Sequence, residues 1–224
     1  MASKFGRRRA QKVYIVNAHA LNLAWTNRDF RDILNEADIL LNDGSGVQLA
    51  SRLAGMPFPD NLVGTDLVPQ LCEIAAKRNV GVFLLGGAPG VPEKAAEHLK
   101  LLVPQLSIKG LHHGYFQVGE ERGVVDAINE SGAGVLLVAF GNPLQERWIH
   151  NNAPLLKCDL CIAVGGLFDH WSGRLRRAPL WMRKAGIEWI QILMQQPSKW
   201  RRYVLGNPTF LLRATLSRFG RGPA

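Results

Sequence analysis

Acidic residues are nearly absent from the last quarter of this 224-residue chain: from Arg174 to Arg221 there are eleven Lys or Arg residues and a single acid, Glu188. Such one-sidedness is unlike an ordinary solvated helix face, where both signs mix. Long hydrophobic runs are also missing. None reaches the roughly 18–20 residues a bilayer-spanning helix needs, and the basic start (Lys4, Arg7, Arg8, Arg9, Lys12) lacks the apolar stretch and cleavage site of a secretory signal. Three cysteines are too few for a disulfide framework, which points to a reducing compartment. Cys158 and Cys161 form one C-x-x-C inside the apolar run CDLCIAVGG, where the two face opposite sides of a strand, so buried thiols are expected rather than a zinc or redox pair. Missing too are D-x-D, G-x-S-x-G, H-E-x-x-H, Walker A and Tyr-x-x-x-Lys, which removes the best-marked metal, nucleophile and cofactor chemistries. His112-His113 has neither helical spacing nor a cysteine partner, and no metal site is expected.

What is present begins with that basic block, which is laced with Trp181, Trp189, Trp200 and Tyr203. Cations among aromatic rings suit a surface that meets something anionic and partly apolar: anionic lipid, a lipid-linked phosphate or nucleic acid. The stretch from Val13 to Gly173 is mildly acidic by comparison.

That stretch alternates apolar runs with helical patterns. Strands are predicted at Val13–Asn17, Ile39–Asp43, Val82–Gly86, Ile108–Leu111, Val135–Phe140 and Leu160–Val164. Helices are predicted at Leu21–Asn35, Val47–Leu53, Asp66–Arg78, Pro92–Leu102, Gly123–Asn129 and Pro143–Asn151. Continuously apolar strands separated by helices indicate an α/β fold with a mostly parallel sheet covered on both faces. After Gly173 the pattern turns helical, at Leu180–Gln196 and again, past Pro197, from Lys199 to about Phe219. The expected organisation is a basic tail (1–12), an α/β domain (13–178) and a basic helical appendage (179–224).

Open parallel sheets bind ligands beyond the carboxyl ends of their strands. Five such ends are polar or glycine-rich: Asn17-Ala-His19, Asn42-Asp43-Gly44-Ser45-Gly46, Gly86-Gly87-Ala-Pro-Gly90, Gly141-Asn142-Pro143-Leu144-Gln145-Glu146, and Gly165-Gly166. The Gly86-Gly87 loop runs from strand into helix, which suits either a phosphate at a helix N-terminus or simply a tight turn. Asp43 reads as a general base at a strand tip, or as part of an N-D-G turn. Gln145 reads as a helix-capping partner behind Asn142 and Pro143, or as a substrate contact. Asp66 opens a helix, where an acid suits the dipole whatever else it does. With no D-x-D, charge on a phosphate would fall to backbone amides and to cations such as Arg177, Lys199, Arg201 and Arg202.

Taken in order, the segments VNAHALNLA, ADILLNDGSGVQLASRLAG, VGTDLVPQL, LLGGAPGVPEKAAEHL, HHGYF, VAFGNPLQERWI, VGGLFDHWSGRLRRAPLWMRKAGIEWI and QQPSKWRRYVLGNPTFL resemble the WecG/TagA/CpsF glycosyltransferases from Val13 to about Leu212. The resemblance implies a Rossmann-like, inverting, metal-independent enzyme with no cofactor. It would move a sugar (an N-acetylmannosamine type, a uronic acid or a hexose) from a UDP-sugar to an undecaprenyl-diphosphate-linked saccharide. It implies Asp43 as the base, sugar or nucleotide contacts at Asn17 and Gln145, and a peripheral place on the inner face of a bacterial cytoplasmic membrane, with the appendage over the diphosphate. Nucleic acid is not an expected partner, and an exposed apolar rim would suit a homo-oligomer. Two positions depart from the family pattern: Leu144 stands where a lysine is common, and Ile192 where an arginine is usual. The rival readings are a nicotinamide- or nucleotide-sugar-modifying enzyme on the same rim, and a non-enzymatic anionic-lipid or nucleic-acid-binding module.

Overall fold

The computed structural model describes residues 9–117 and 119–218. Most of the expected N-terminal tail, and Phe219 and Arg221 at the other end, lie outside them. Lys12 belongs to the fold and not to the tail. It lies within the first strand, β1 (Gln11–Val16), buried, with Nζ 3.6 Å from Glu36 and its backbone N–H donating to Asp38 at 2.8 Å.

Among the described residues six strands form one wholly parallel sheet: β1, β2 (Ile39–Asn42), β3 (Val82–Gly86), β4 (Ile108–His112), β5 (Val135–Ala139) and β6 (Leu160–Ala163), in the order β2-β1-β6-β5-β3-β4. The expected α/β fold is the observed one. Because side chains alternate across a strand, each inner strand feeds two cores. Tyr14, Val16, Leu136 and Val138 face one, beneath α1 (Ala18–Thr26), α2 (Arg28–Asn35), α6 (Glu121–Glu130) and α7 (Leu144–Asn152). Val13, Ile15, Val135 and Leu137 face the other, beneath α4 (Gly64–Lys77), α5 (Val91–Leu102) and α8 (Leu167–Trp171). The strands at the two edges are only partly covered, β2 and β4 each exposing two residues. Cys158 and Cys161 are buried and free, as expected, but they do not face opposite sides of a strand: Cys158 precedes β6, both side chains enter the same core, and their sulfurs lie 3.4 Å apart.

Most predicted helices shift by a residue or two at their ends, α8 was not predicted, and three predicted helices are interrupted. The single helix predicted over Leu21–Asn35 is two. Asn27 ends α1 and then caps α2, its side chain accepting from Phe30 N at 2.9 Å. The helix predicted over Leu180–Gln196 breaks into α9 (Leu180–Lys184) and α10 (Glu188–Gln195) at Gly186, whose φ of 72° is left-handed. Beyond Pro197 the helix from Lys199 is also interrupted. A short 3₁₀ turn (Pro197–Lys199) and a π turn (Arg201–Leu205) precede α11 (Gly206–Arg218), which packs Phe210 against Ala18, Val47 and Ala50 of α1 and α3 (Ser45–Leu53).

Candidate active site

A cavity of about 310 Å³ opens at the carboxyl ends of β1, β2 and β6, and α9, α10 and the π turn close over it. Asp43 enters it directly from β2. Its backbone N–H donates to Val16 O at 2.8 Å, which ties the ends of β2 and β1 together. The next residue, Gly44, has φ 93°, a conformation costly for any side chain, and its N–H donates to Asn61 Oδ1 at 2.9 Å. Burial, followed by the charge of Glu188, pushes the Asp43 carboxyl up to about 7, while Arg202 and Arg177 pull it down. A carboxyl so placed takes up a proton near neutral pH, which an ordinary surface aspartate does not.

The opposite wall is cationic, with Arg177, Arg183, Lys199 and Arg202. Arg177 forks onto both carboxylate oxygens of Asp66, in the first turn of α4, with Nη1 2.7 Å from Oδ1. That pairing holds the Asp66 carboxyl below the usual range and fastens the chain leading to the appendage onto α4. Lys199 is pushed down by burial and by Arg202. Burial, then Arg202 and Lys199, push His19 down to about 4, so its imidazole is neutral at pH 7. Two helices also begin at this cavity without side-chain caps. The first residues of α3 (Ser45, Gly46) and α4 (Gly64, Thr65) line it, and such helix starts offer backbone N–H groups and a positive dipole end. Arginines, a lysine and two open helix starts make a receptor for a compact anion, with two carboxylates that burial pushes up, Asp43 and Glu188, beside it.

Of the residues singled out in the sequence, Asn17, His19, Asp43, Gly44, Gly46 and Asp66 line this cavity, as do Gly166, Arg177, Lys199 and Arg202. Asn17 also has a local task, its Oδ1 accepting from His19 N and Ala20 N to cap α1. The others lie elsewhere. Gly86 and Gly87 pack instead of lining the cavity. A Cβ on Gly86 would lie 2.5 Å from Ala139 O, and one on Gly87 2.6 Å from Val91 Cγ1, so close packing explains both glycines. Gln145 is fully buried, with Oε1 accepting from Gly141 N (3.2 Å) and Gly165 N (2.9 Å) and Nε2 donating to Glu146 Oε1 (2.8 Å). Asn142 donates to the same Glu146 oxygen at 2.6 Å. These five residues clasp the chain beyond the ends of β5 and β6. Arg201 points away from the cavity, exposed over the Trp200 ring.

Sequence reasoning passed over Asn61, Thr65, His170, Arg183, Glu188, Trp189 and Tyr203 as site residues, all of which line the cavity. Four of them had a signal as members of the basic block: Arg183 among its cations, Glu188 as its lone acid, and Trp189 and Tyr203 among its rings. Of the two departures from the family pattern, Ile192 lines the cavity and Leu144 lies on the surface, 62% exposed.

Residues 1–223 match the model of the glycosyl transferase WecG/TagA/CpsF family. The chain is 35% identical over 188 residues to an N-acetylglucosaminyldiphosphoundecaprenol N-acetyl-beta-D-mannosaminyltransferase of Bacillus spizizenii, spanning 84% of this chain and 72% of that one. Identity to the enzyme of the same name from Bacillus subtilis is 32% over 197 residues, 88% of this chain and 76% of the relative. For the one from Staphylococcus aureus it is 31% over 188 residues, 83% and 73%. With a cavity built around a basic carboxylate and a cationic wall, and a family match along nearly its whole length, this chain belongs to the WecG/TagA/CpsF glycosyltransferases.

Proposed function

We propose that the chain transfers a sugar from a UDP-sugar to an undecaprenyl-diphosphate-linked saccharide, with inversion and without a metal ion, during assembly of a bacterial surface polysaccharide. The names of the relatives support N-acetyl-D-mannosamine as the sugar and undecaprenyl-diphosphate-linked N-acetylglucosamine as the acceptor. The observation that carries the mechanism is the Asp43 carboxyl, raised to about 7 by burial, in a cavity walled by four cations.

Asp43 takes the proton from an acceptor hydroxyl as that oxygen attacks the anomeric carbon of the donor. The bond from that carbon to the UDP oxygen breaks, UDP leaves with the electron pair, and the anomeric centre inverts. Arg177, Arg183, Lys199 and Arg202, with the open starts of α3 and α4, stabilise the charge that grows on the departing diphosphate. They are already in place, so little reorganisation is needed as the bond breaks. These cations take the part that a divalent ion would play. Ile192 puts an apolar group in the wall, and we assign to it a change in donor or acceptor fit relative to family members with arginine there.

The lipid acceptor brings the enzyme to the inner face of the cytoplasmic membrane. No helix of the described residues is long and apolar enough to cross a bilayer, so contact is through the appendage surface. Asp43→Asn is expected to lower kcat by about 10²–10⁴-fold while UDP affinity, measured by calorimetry, stays close to wild type. Near-normal turnover by that variant would mean that another group takes the proton.

A further inference from the structure

The cavity sets two demands against each other. An anionic leaving group needs Arg177, Arg183, Lys199 and Arg202. Nearby positive charge, however, favours the deprotonated form of a carboxylate and so weakens it as a base. Arg202 and Arg177 act on Asp43 in that direction. The other titratable groups of the wall offer little to offset them. Asp66 has both oxygens held by Arg177. His19 and His170 are pushed toward their neutral forms, and burial keeps the Tyr203 phenol protonated. Glu188 remains.

Glu188 is tied to Asp43 by geometry. Ser45 Oγ donates to Gly186 O at 2.9 Å. Asp43 stands two residues before Ser45, and Glu188 two residues after Gly186, so one hydrogen bond staples together the two segments that carry these carboxylates. The approach requires glycine, since Gly186 is left-handed and a Cβ there would lie 3.1 Å from Ser45 Cβ. Both carboxylates line the same cavity, and no described residue hydrogen-bonds that of Glu188.

We propose that Glu188 is a positioning residue for the transfer reaction: an unpaired carboxylate that the Ser45–Gly186 staple holds beside Asp43 to offset the cationic wall, so that Asp43 works as a base inside a site built for an anion. After burial, Glu188 is the strongest influence on the Asp43 carboxyl, ahead of every cation. The first turn of α10 also suits an acid through the helix dipole alone, but that role leaves Asp43 and its ligands untouched. The inference rests on Asp43 being the base.

The test is the pH dependence of kcat/KM for the wild type, Glu188→Gln, Glu188→Asp and Ser45→Ala, with UDP affinity measured at pH 8. Asp43 acts deprotonated, so activity falls as pH drops through its pKa, and the wild-type acid limb is expected near pH 7. Loss of the neighbouring negative charge lowers that pKa. Glu188→Gln is therefore expected to move the acid limb down by about one pH unit, to lower the plateau rate several-fold because the base is weaker, and to tighten UDP binding because a like charge has left the cavity. Glu188→Asp restores most of the limb. Ser45→Ala, which breaks the staple but removes no charge, shifts the limb the same way by less. An acid limb and UDP affinity unchanged in Glu188→Gln would overturn the inference and leave Glu188 a helix-terminal acid. Turnover abolished at every pH with UDP binding intact would overturn it too, since Glu188 would then touch the substrate. Asp43→Asn separates the two claims. An active Asp43→Asn defeats the base assignment and this inference with it. An inactive one beside an unshifted Glu188→Gln limb defeats the inference alone.

Discussion

Gln145 and Asp43 show how differently two polar side chains at strand ends are used. Asp43 stands just beyond β2 and Gln145 in the first turn of α7, after β5, and both belong to segments that resemble family motifs. Asp43 enters the cavity with no hydrogen bond holding its carboxylate in any described contact, while Gln145 is fully buried and each of its polar atoms is committed. Removing Gln145 would leave the partly buried N–H groups of Gly141 and Gly165 without their acceptor, a loss of about 1–3 kcal/mol. Gln145→Ala is thus expected to lower Tm by roughly 2–4 °C for each kcal/mol lost in a chain of this size, read by differential scanning calorimetry. An unchanged Tm with UDP binding lost would show instead that Gln145 contacts substrate. The sequence spoke strongly for helix capping, with Asn142 as N-cap and Gln145 at N3, against a substrate contact. In the structure Pro143 precedes the helix without a side-chain cap, and Gln145 bridges Gly141 and Gly165 instead. The burial that separates these readings comes from β6, whose Gly165 is 20 residues further along the chain.

Among the elements, the appendage departs furthest from a simple periodic reading. Its apolar spacing runs on through residue 186, so the pattern suggests one helix where there are two; a left-handed glycine, with Ile187 N–H donating back to Met182 O at 3.0 Å, makes the break. The π turn has a comparable effect further on. It brings Arg202 and Tyr203 into the cavity and leaves Trp200 and Arg201 outside. Trp181 and Trp200, 64% and 47% exposed, stand on the outer surface near Lys184 and Arg201 in sequence, an amphipathic combination suited to a membrane interface. The wild type is expected to float with vesicles containing phosphatidylglycerol, less so as salt rises, and a Trp181→Ala/Trp200→Ala variant is expected to lose most of that binding. Equal flotation of both would contradict membrane contact through these rings. The composition of the block was legible in the sequence, whereas its division into a face toward Asp43 and a face toward solvent was not, because residue 202 meets residue 43 only in the folded chain.

At the scale of the molecule, alternating strands and helices were enough to give the α/β class, and a parallel sheet places its chemistry at one rim. They did not give the strand order, and strand order decides which ends of that rim meet. The ends of β1, β2 and β6 open together into the cavity, while β3 and β5 bring Gly86, Gly87, Asn142 and Gln145 into packing and clasping roles further along the sheet. Asp43, His19, Asp66, Lys199 and Arg202 were readable as site residues because strand ends and the basic block mark them. His170 was not, and Arg183 and Glu188 were visible only as members of the basic block, because which of its side chains turn into the site is set by the folded path of the chain after β6. The assembled molecule is an anion receptor with a basic carboxylate at its sheet edge and a basic, Trp-bearing cover. Its chemistry is tested most directly by mixing the full chain with a panel of UDP-sugars and a short-chain lipid-diphosphate N-acetylglucosamine acceptor in EDTA, following UDP release and product mass. The expected result is acceptor-dependent UDP release, with UDP-N-acetylmannosamine the best donor and a product heavier by one sugar. UDP release that stops under chelation, or no turnover with any donor together with no UDP binding, would contradict the proposed reaction.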